Sequence, residues 1–595
     1  MISGIIDIGR VTGKDFIENM VQVIHVYSKD EKDKYYAVQF DVNTKEKTIK
    51  PIILEYSPEL CKKFLFIGNV TGSGDKIRLT VKGSAVKYLF NKKSLESVLN
   101  RLDPKSELYK DINDSKEALA SFDYTQLFNK KKKSEEVDNP KEITSVKLSK
   151  RNTVLFTLSF NGKIVSDYPE YKKMLEDSFF NKTKFNKGVC YLCGKRTDVT
   201  ADTTKIETKI YITDKYGFAP NMNKRHFGKN FSICLNCYKD FLKGETFIKN
   251  YLHTRFLGFD TYIIPTFVFT SKNLNTDWFE HMQLMVSSIK SLNDYSKFVN
   301  NLTIRNRYAN ESNTFMINLM MFKKDQSAIK VIKIIKDIPP GRLWEITEMR
   351  KKISDRMIKP LGLEPNKYDP FLNNIFGILP IKQKKNSEHI ISLKKILNLL
   401  SDILEGNIIN TDAVISDFVE FDRAVRFKST VYDGTKAKLE NVVYKQVIFY
   451  ELFKELNRKN LERRGISMSE ENKEKQKQAL RYLGALIAQI GSKQFSERHR
   501  KKPILDKINF QGMPFEIIMQ LVNEVIEKLK QYDLLSGYGT IDDMAEMFKI
   551  FENTDVDKWK LSPLENVFWI LAGYSIKTQE IIHSKDKNKE NETMQ

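Results

Sequence analysis

Four of the five cysteines in this chain fall into two pairs, Cys190-Tyr-Leu-Cys193 and Cys234-Leu-Asn-Cys237. A CxxC turn sets two sulfurs on one side of a tight knuckle, and Gly194 supplies the backbone freedom that aims the following amides at them. Two such knuckles complete a tetrahedral four-sulfur shell for a structural zinc ion, with no position left open for a substrate. Iron suits the same shell. Zinc binding worth roughly 10–16 kcal/mol lets a small strand-rich insert fold with little core of its own; here that insert occupies residues 185–245. The fifth cysteine, Cys61, lies beside Leu60 and Phe64 and reads as a core residue. Pairs this sparse are not a disulfide framework, which belongs to short secreted chains.

The pairs are separated by residues 194–233, more than the roughly 15–20 of common four-cysteine sites, which implies an elaborated loop. Lys205–Asp214 alternates like a strand, and Pro220–Lys229 is polar and basic. Lys205, Lys209, Lys215, Lys224, Arg225 and Lys229 face only Glu207 and Asp214 as acids. A metal-pinned loop carrying Lys215, Lys224, Arg225, His226 and Lys229 can grip phosphates or enter a groove. A solvated hairpin that merely staples the fold is the competing reading. A second basic cluster, Arg498-His499-Arg500-Lys501-Lys502, follows an apolar helical stretch and suits backbone-phosphate contact, or else is a solvated face.

The whole chain shares this bias: 98 Lys+Arg against 76 Asp+Glu give a net charge of +22. Such a surplus favours a polyanionic partner, although a general lysine-rich composition produces the same number. With 595 residues, 38 Phe and 25 Tyr there is material for several cores. The N-terminus lacks the basic-then-apolar pattern of a signal peptide. The most apolar runs, Leu483–Ile490 and Val567–Ala572, fall short of the ~18–20 residues that span a bilayer. The expectation is a cytoplasmic protein with no membrane partner.

The pattern predicts an α+β fold: a mixed N-terminal α/β region with the four-cysteine module, followed by a mainly α-helical C-terminal bundle. Its expected divisions are 1–150, 151–345 containing the zinc module at 185–245, a helical region 346–467, and a helical bundle 468–595. Strands are expected at Tyr35–Val42, Pro51–Tyr56, Thr153–Phe160 and Tyr262–Phe269. Thr314–Phe322 and Ile329–Ile335 read as a hairpin that Pro339-Pro340-Gly341 ends. Helices are expected at Val86–Asn100, Tyr171–Phe180 and Trp278–Leu292, then at Ile390–Leu404, Thr411–Arg426, Leu439–Asn457, Asn472–Gly491, Pro514–Tyr532 and Leu564–Ile582. Ser562, Pro563 and Glu565 form the start signal of the last. Asn129–Glu142 reads as an exposed linker and Ser584–Gln595 as a frayed tail.

No GxxxxGK[ST], HExxH or GxSxG motif occurs, and the seven histidines are scattered without ligand spacing. Gly68–Lys76 is Gly-rich but reads as a turn. A zinc-stapled nuclease or other nucleic-acid-processing enzyme would need clustered carboxylates; Asp555 and Asp557 come nearest. A helical scaffold that binds protein partners is the other alternative. The expectation is a protein without catalytic residues.

The run CYLCG…YITDKYGFAPN…FGKNFSICLNCYKDFLKGETF…YIIPTF, Asp337-Ile-Pro-Pro-Gly-Arg-Leu343 and Tyr482-Leu-Gly-Ala-Leu-Ile487 together resemble the large subunit of the type I-B CRISPR Cascade surveillance complex. The resemblance spans about residue 150 to the C-terminus. It implies a non-catalytic subunit that contacts guide RNA and double-stranded target DNA, with backbone and small Cascade subunits and a recruited helicase-nuclease as partners. Recognition of the protospacer-adjacent motif and stabilisation of the opened strands would be its task, since base pairing reads the rest of the target. It also implies an internal start, for which Met468 is placed to yield residues 468–595 as a separate small subunit.

Overall fold

Thr153–Phe160 reads TVLFTLSF, β-branched and aromatic residues that are buried on both faces. In the computed structural model it is the strand the sequence predicts, in the interior of a sheet. The structure describes residues 1–13, 15–26, 34–69, 76–128, 148–208, 215–267, 276–300, 315–325, 328–385, 389–466, 471–497, 502–552, 554 and 558–594. They form two compact units: Met1–His253 with Thr270–Phe279 and Lys324–Ile329, and Thr254–Phe269 with Glu280–Lys323 and Lys330–Gln595. The mixed N-terminal region and helical C-terminal region are both as expected.

In the first unit Thr153–Phe160 pairs parallel with Tyr36–Asn43 and antiparallel with Thr80–Lys82, while Thr48–Glu55 flanks Tyr36–Asn43. Phe40 packs edge-on against Phe90 at 4.9 Å, and the buried Gln39 amide donates to Ser159 Oγ at 2.9 Å. Asn161 and Gly162 take φ of 49° and 84°, the tight hairpin turn that an Asn-Gly pair favours. The division expected near residue 150 therefore falls between strands of one sheet. Polar residues announce where a chain leaves a core but not that it returns to the same one. Residues 129–147, including the expected linker, lie outside the described residues. The single helix expected over Val86–Asn100 is instead a 3₁₀ turn, Gly83–Tyr88, and a helix, Lys92–Leu99. Asn91 divides them, its side chain accepting from the Ser94 amide as an N-cap.

Helix Ile2–Val11 crosses helix Leu235–Tyr251 at two glycines. A Cβ on Gly9 would stand 1.8 Å from the Asp240 carbonyl oxygen, and one on Gly244 would stand 1.8 Å from that of Ile5. The backbones meet because neither residue has a side chain there.

The expected hairpin is longer than predicted, with strands Phe315–Asp325 and Ala328–Ile338. Phe259–Phe267 pairs antiparallel with the first of these, and His253–Phe256 completes the sheet. Pro339 is extended and Pro340 begins helix Pro340–Ile353, so the two prolines end a sheet and open a helix. Arg342 is buried, donating to the Ile403 carbonyl at 2.8 Å and pairing with Glu345 at 2.7 Å. The DIPPGRL run is thus an architectural joint.

The helices His389–Glu405, Thr411–Arg426, Leu439–Arg463, Glu471–Glu497, Phe515–Gln531 and Pro563–Met594 match the expected set, several of them longer. Ser562 Oγ accepts from the Glu565 amide while the Glu565 carboxylate accepts from the Ser562 amide at 2.8 Å, the capping box read from the sequence. The last helix continues through Met594 where fraying was expected. Val567–Tyr574 are its buried core: Trp569 meets Tyr450 edge-on at 4.9 Å, and Ser575 Oγ donates to the Glu440 carbonyl. Residues on both sides of 467 thus share one core. Met468 lies outside the described residues.

Candidate metal centre

The first cysteine pair sits in a hairpin turn. Strands Asn186–Val189 and Arg196–Thr200 pair antiparallel, and Cys190–Lys195 connects them. The Cys190 amide donates to the Lys195 carbonyl and the Gly194 amide to the Cys190 carbonyl, each at 2.9 Å. Gly194 has φ +68°, the left-handed region that its missing side chain makes inexpensive. The second pair is built differently. Ile233–Cys234 adds a third strand beside Val199–Thr200; Cys234 is the N-cap of Leu235–Tyr251, and Cys237 lies in its first turn. A helix N-terminus favours negative sulfur.

These elements gather four Sγ atoms within 4.8 Å of one another. Cys193 and Cys234 sulfurs are 3.9 Å apart, and the Cys234 amide donates across the pairs to Cys190 Sγ at 3.4 Å. A tetrahedral shell with metal–sulfur bonds near 2.3 Å has edges of about 3.8 Å. The all-sulfur donor set and its spacing fit a closed metal site, held by Cys190, Cys193, Cys234 and Cys237. Among the described residues no other group of three or more His, Cys, Asp or Glu ligand atoms is so gathered.

The thiols oppose one another electrically. Burial raises the Cys237 thiol, and hydrogen bonding and charge from neighbouring sulfurs add to the rise. Burial also dominates at Cys234 and raises it. At Cys190 burial acts in the same direction, but amides of Cys234, Cys193 and Leu192 outweigh it and draw the thiol down to about 7. A divalent cation bound there would favour the thiolate form of all four, since each ligating cysteine must lose its proton. Cys61 is separate and fully buried, with its sulfur 3.2 Å from the Tyr56 hydroxyl.

The loop between the pairs is anchored by a residue that composition did not single out. Glu245, buried on Leu235–Tyr251, accepts from the Glu207 and Thr208 amides at 3.2 and 2.7 Å. Lys249 pairs with Glu207 at 2.8 Å. The helix that carries Cys237 therefore also holds the start of the loop. A buried glutamate inside an apolar helical stretch was the available signal. Lys205–Thr208 form no strand where one was expected, because the Glu207 and Thr208 amides are taken by Glu245 and the Ile206 amide by the Thr203 carbonyl; Lys209–Asp214 lie outside the described residues.

Beyond it the chain makes short turns, Tyr216–Phe218, Pro220–Met222 and Lys224–His226, before Phe227–Asn230. Lys215, Arg225 and Lys229 are exposed, while the Lys224 side chain lies outside what is described. Tyr191, Tyr216 and Phe218 are 60%, 56% and 53% exposed. The sequence reading weighed only the charges here and missed these rings. Lys205 is turned inward over Phe179 at 5.1 Å. Arg498, Arg500 and Lys501, with His499, lie outside the described residues, as do Asp555 and Asp557. Lys502, in the second unit, bonds the Tyr574 hydroxyl at 2.7 Å and pairs with Glu440 at 3.4 Å, so it is structurally engaged. No helix among the described residues is long and apolar enough to cross a membrane.

Three family models match the chain in succession. The CRISPR-associated protein TM1802 N-terminal domain covers residues 1–177, the central domain 187–338 and the C-terminal domain 370–588. The cysteine module falls in the central domain. No curated protein matches the chain.

Proposed function

From a chain that belongs to the CRISPR-associated TM1802 family, we propose a non-catalytic large subunit of a type I-B, RNA-guided DNA surveillance complex. The observation that carries this reading is the succession of all three domains of that family along one chain, with a closed four-sulfur site in the central one. A closed shell serves architecture and offers no site for chemistry. In this reading the ion is zinc, and it fixes one end of a loop whose other end Glu245 holds.

Exposed Lys215, Arg225 and Lys229 then supply phosphate contacts, with the accessible rings of Tyr191, Tyr216 and Phe218 beside them in the same module. The +22 net charge supports a polyanionic partner. The subunit contacts guide RNA and duplex target DNA, reads the protospacer-adjacent motif, stabilises the opened strands and offers a surface to a helicase-nuclease, in the cytoplasm with the other Cascade subunits. Co-expression with its neighbouring operon products tests this. The chain should purify in a complex that contains guide RNA and binds matching duplex DNA. Recovery without RNA, or metal-dependent DNA cleavage by the chain alone, contradicts it.

A further inference from the structure

A cleft of about 870 Å³ opens in the second unit between the ends of Thr411–Arg426, Leu439–Arg463, Glu471–Glu497 and Pro563–Met594. Its rim carries Arg426, Lys428, Lys436, Lys438, Lys502 and Lys585, against the acids Glu440 and Asp506. The two acids are already used: Asp506 pairs with Arg426 and Glu440 with Lys502. Lys428, Lys436, Lys438 and Lys585 have no ion pair with any described acid. Between these cations the walls are largely aliphatic, from Ala437, Leu439, Leu505 and Ile581. Phe495 and Ile582 line it as well and remain 44% and 42% exposed.

We propose that this cleft receives an acidic, amphipathic segment of a partner protein. Charge complementarity sets the sign: a surplus of four ammonium groups with no acid partner among the described residues attracts carboxylates or phosphates. The walls decide between them. A nucleic-acid strand asks for ring faces on which bases stack and for polar groups along its sugars. Here the one aromatic ring in the lining, Phe495, already has the Lys502 ammonium over it at 5.6 Å; between the charged groups only Ser492 and Thr578, the latter already donating to the Tyr574 carbonyl, interrupt an aliphatic wall. An amphipathic helix places apolar side chains at i, i+3, i+4 and i+7 into such a groove while its acids meet the rim. The site is independent of the cysteine module, and the proposal survives if the nucleic-acid reading of that module fails.

The test uses the full chain and a fluorescent synthetic helix with leucines on one face and glutamates on its flanks. The probe should bind with a dissociation constant on the order of 10 µM. Lys436→Glu with Lys438→Glu, and separately Ile582→Asp, should each weaken binding about tenfold or more, since each removes one half of the complementarity. The same helix with glutamine for glutamate should bind comparably weakly. All three positions are exposed, and an unchanged melting temperature confirms that the fold is intact. Three results overturn the proposal: no binding of the acidic helix, insensitivity to Ile582→Asp, or displacement of the probe by a single-stranded oligonucleotide of equal charge at equal concentration. The last would make the cleft a phosphate surface.

Discussion

The sulfur of Cys193 stands 3.9 Å from that of Cys234, although one belongs to a hairpin turn and the other caps a helix. Nothing in the covalent chain imposes that distance. It arises because strand Ile233–Cys234 pairs with Val199–Thr200, directly beyond the hairpin that carries Cys190 and Cys193. Replacing Cys193 or Cys234 with serine should therefore abolish metal binding and loosen the module. A loss of about 3 kcal/mol or more corresponds to a fall of roughly 6–12 °C in the melting temperature of a unit this size. Cys61→Ser should leave metal content unchanged, which metal analysis of the three variants checks.

Glu245 makes a second, separable prediction. Its carboxylate holds the Glu207 and Thr208 amides but does not touch a cysteine. Glu245→Ala leaves the buried Thr208 amide and the half-buried Glu207 amide without their acceptor, at about 1–3 kcal/mol for the buried one. Hydrogen exchange at residues 205–208 should accelerate while the metal stays bound. Metal loss equal to that of Cys234→Ser would show that the loop anchor and the metal site are one unit.

The cysteine ligands, most helices and the capping box at Ser562 were legible in the sequence, because each rests on local spacing. What joins distant segments was not. The parallel pairing of Tyr36–Asn43 with Thr153–Phe160 depends on which buried strands find each other, and neither strand's composition says so. The glycine crossings are equally silent: Gly9 and Gly244 resemble ordinary helix-weakening residues until the opposing backbone is known. At the cysteine site the convergence of the four sulfurs was legible, whereas Glu245 and the exposed rings required knowing which way a side chain points.

Those crossings predict a sharp contrast among glycines. A Cβ on Gly484 would lie 2.0 Å from the Ile570 carbonyl oxygen, and one on Gly573 would lie 2.0 Å from that of Arg481, whereas nothing stands within 4 Å of one on Gly217. Gly484→Ala must push two long helices apart and should cost about 1–3 kcal/mol or more. Gly217→Ala should be nearly neutral. Chemical denaturation of the three proteins measures the difference.

Asp422 predicts a pH dependence. It is fully buried, and burial raises its carboxyl well above the usual range despite the compensating Gln446 side chain. The Gln446 amide nitrogen is engaged with the carbonyls of Ile378 and Phe418, and neither Asp422 carboxyl oxygen has a hydrogen-bond partner among the described residues. A carboxyl raised in the folded state binds more protons there than when unfolded, so its contribution falls as pH rises from its unfolded value near 4 through its folded one. Asp422→Asn keeps the size of the side chain without the titration. It should be more stable than the parent at neutral pH, with a flatter decline in melting temperature as pH rises above about 4.

Lys215, Arg225 and Lys229 changed together to alanine should weaken DNA binding by the assembled complex. The slope of log affinity against log salt should fall by about 0.9 for each phosphate that is no longer neutralised. Metal content should not change. An unaltered slope would remove these side chains from the interface.

The central claim is that Cys190, Cys193, Cys234 and Cys237 form one closed structural metal site. Elemental analysis of the purified full-length chain tests it most directly. The account predicts close to one zinc per chain, falling to near zero in Cys234→Ser. A parent protein with near-zero metal, or with its full zinc content retained in Cys234→Ser, would contradict it.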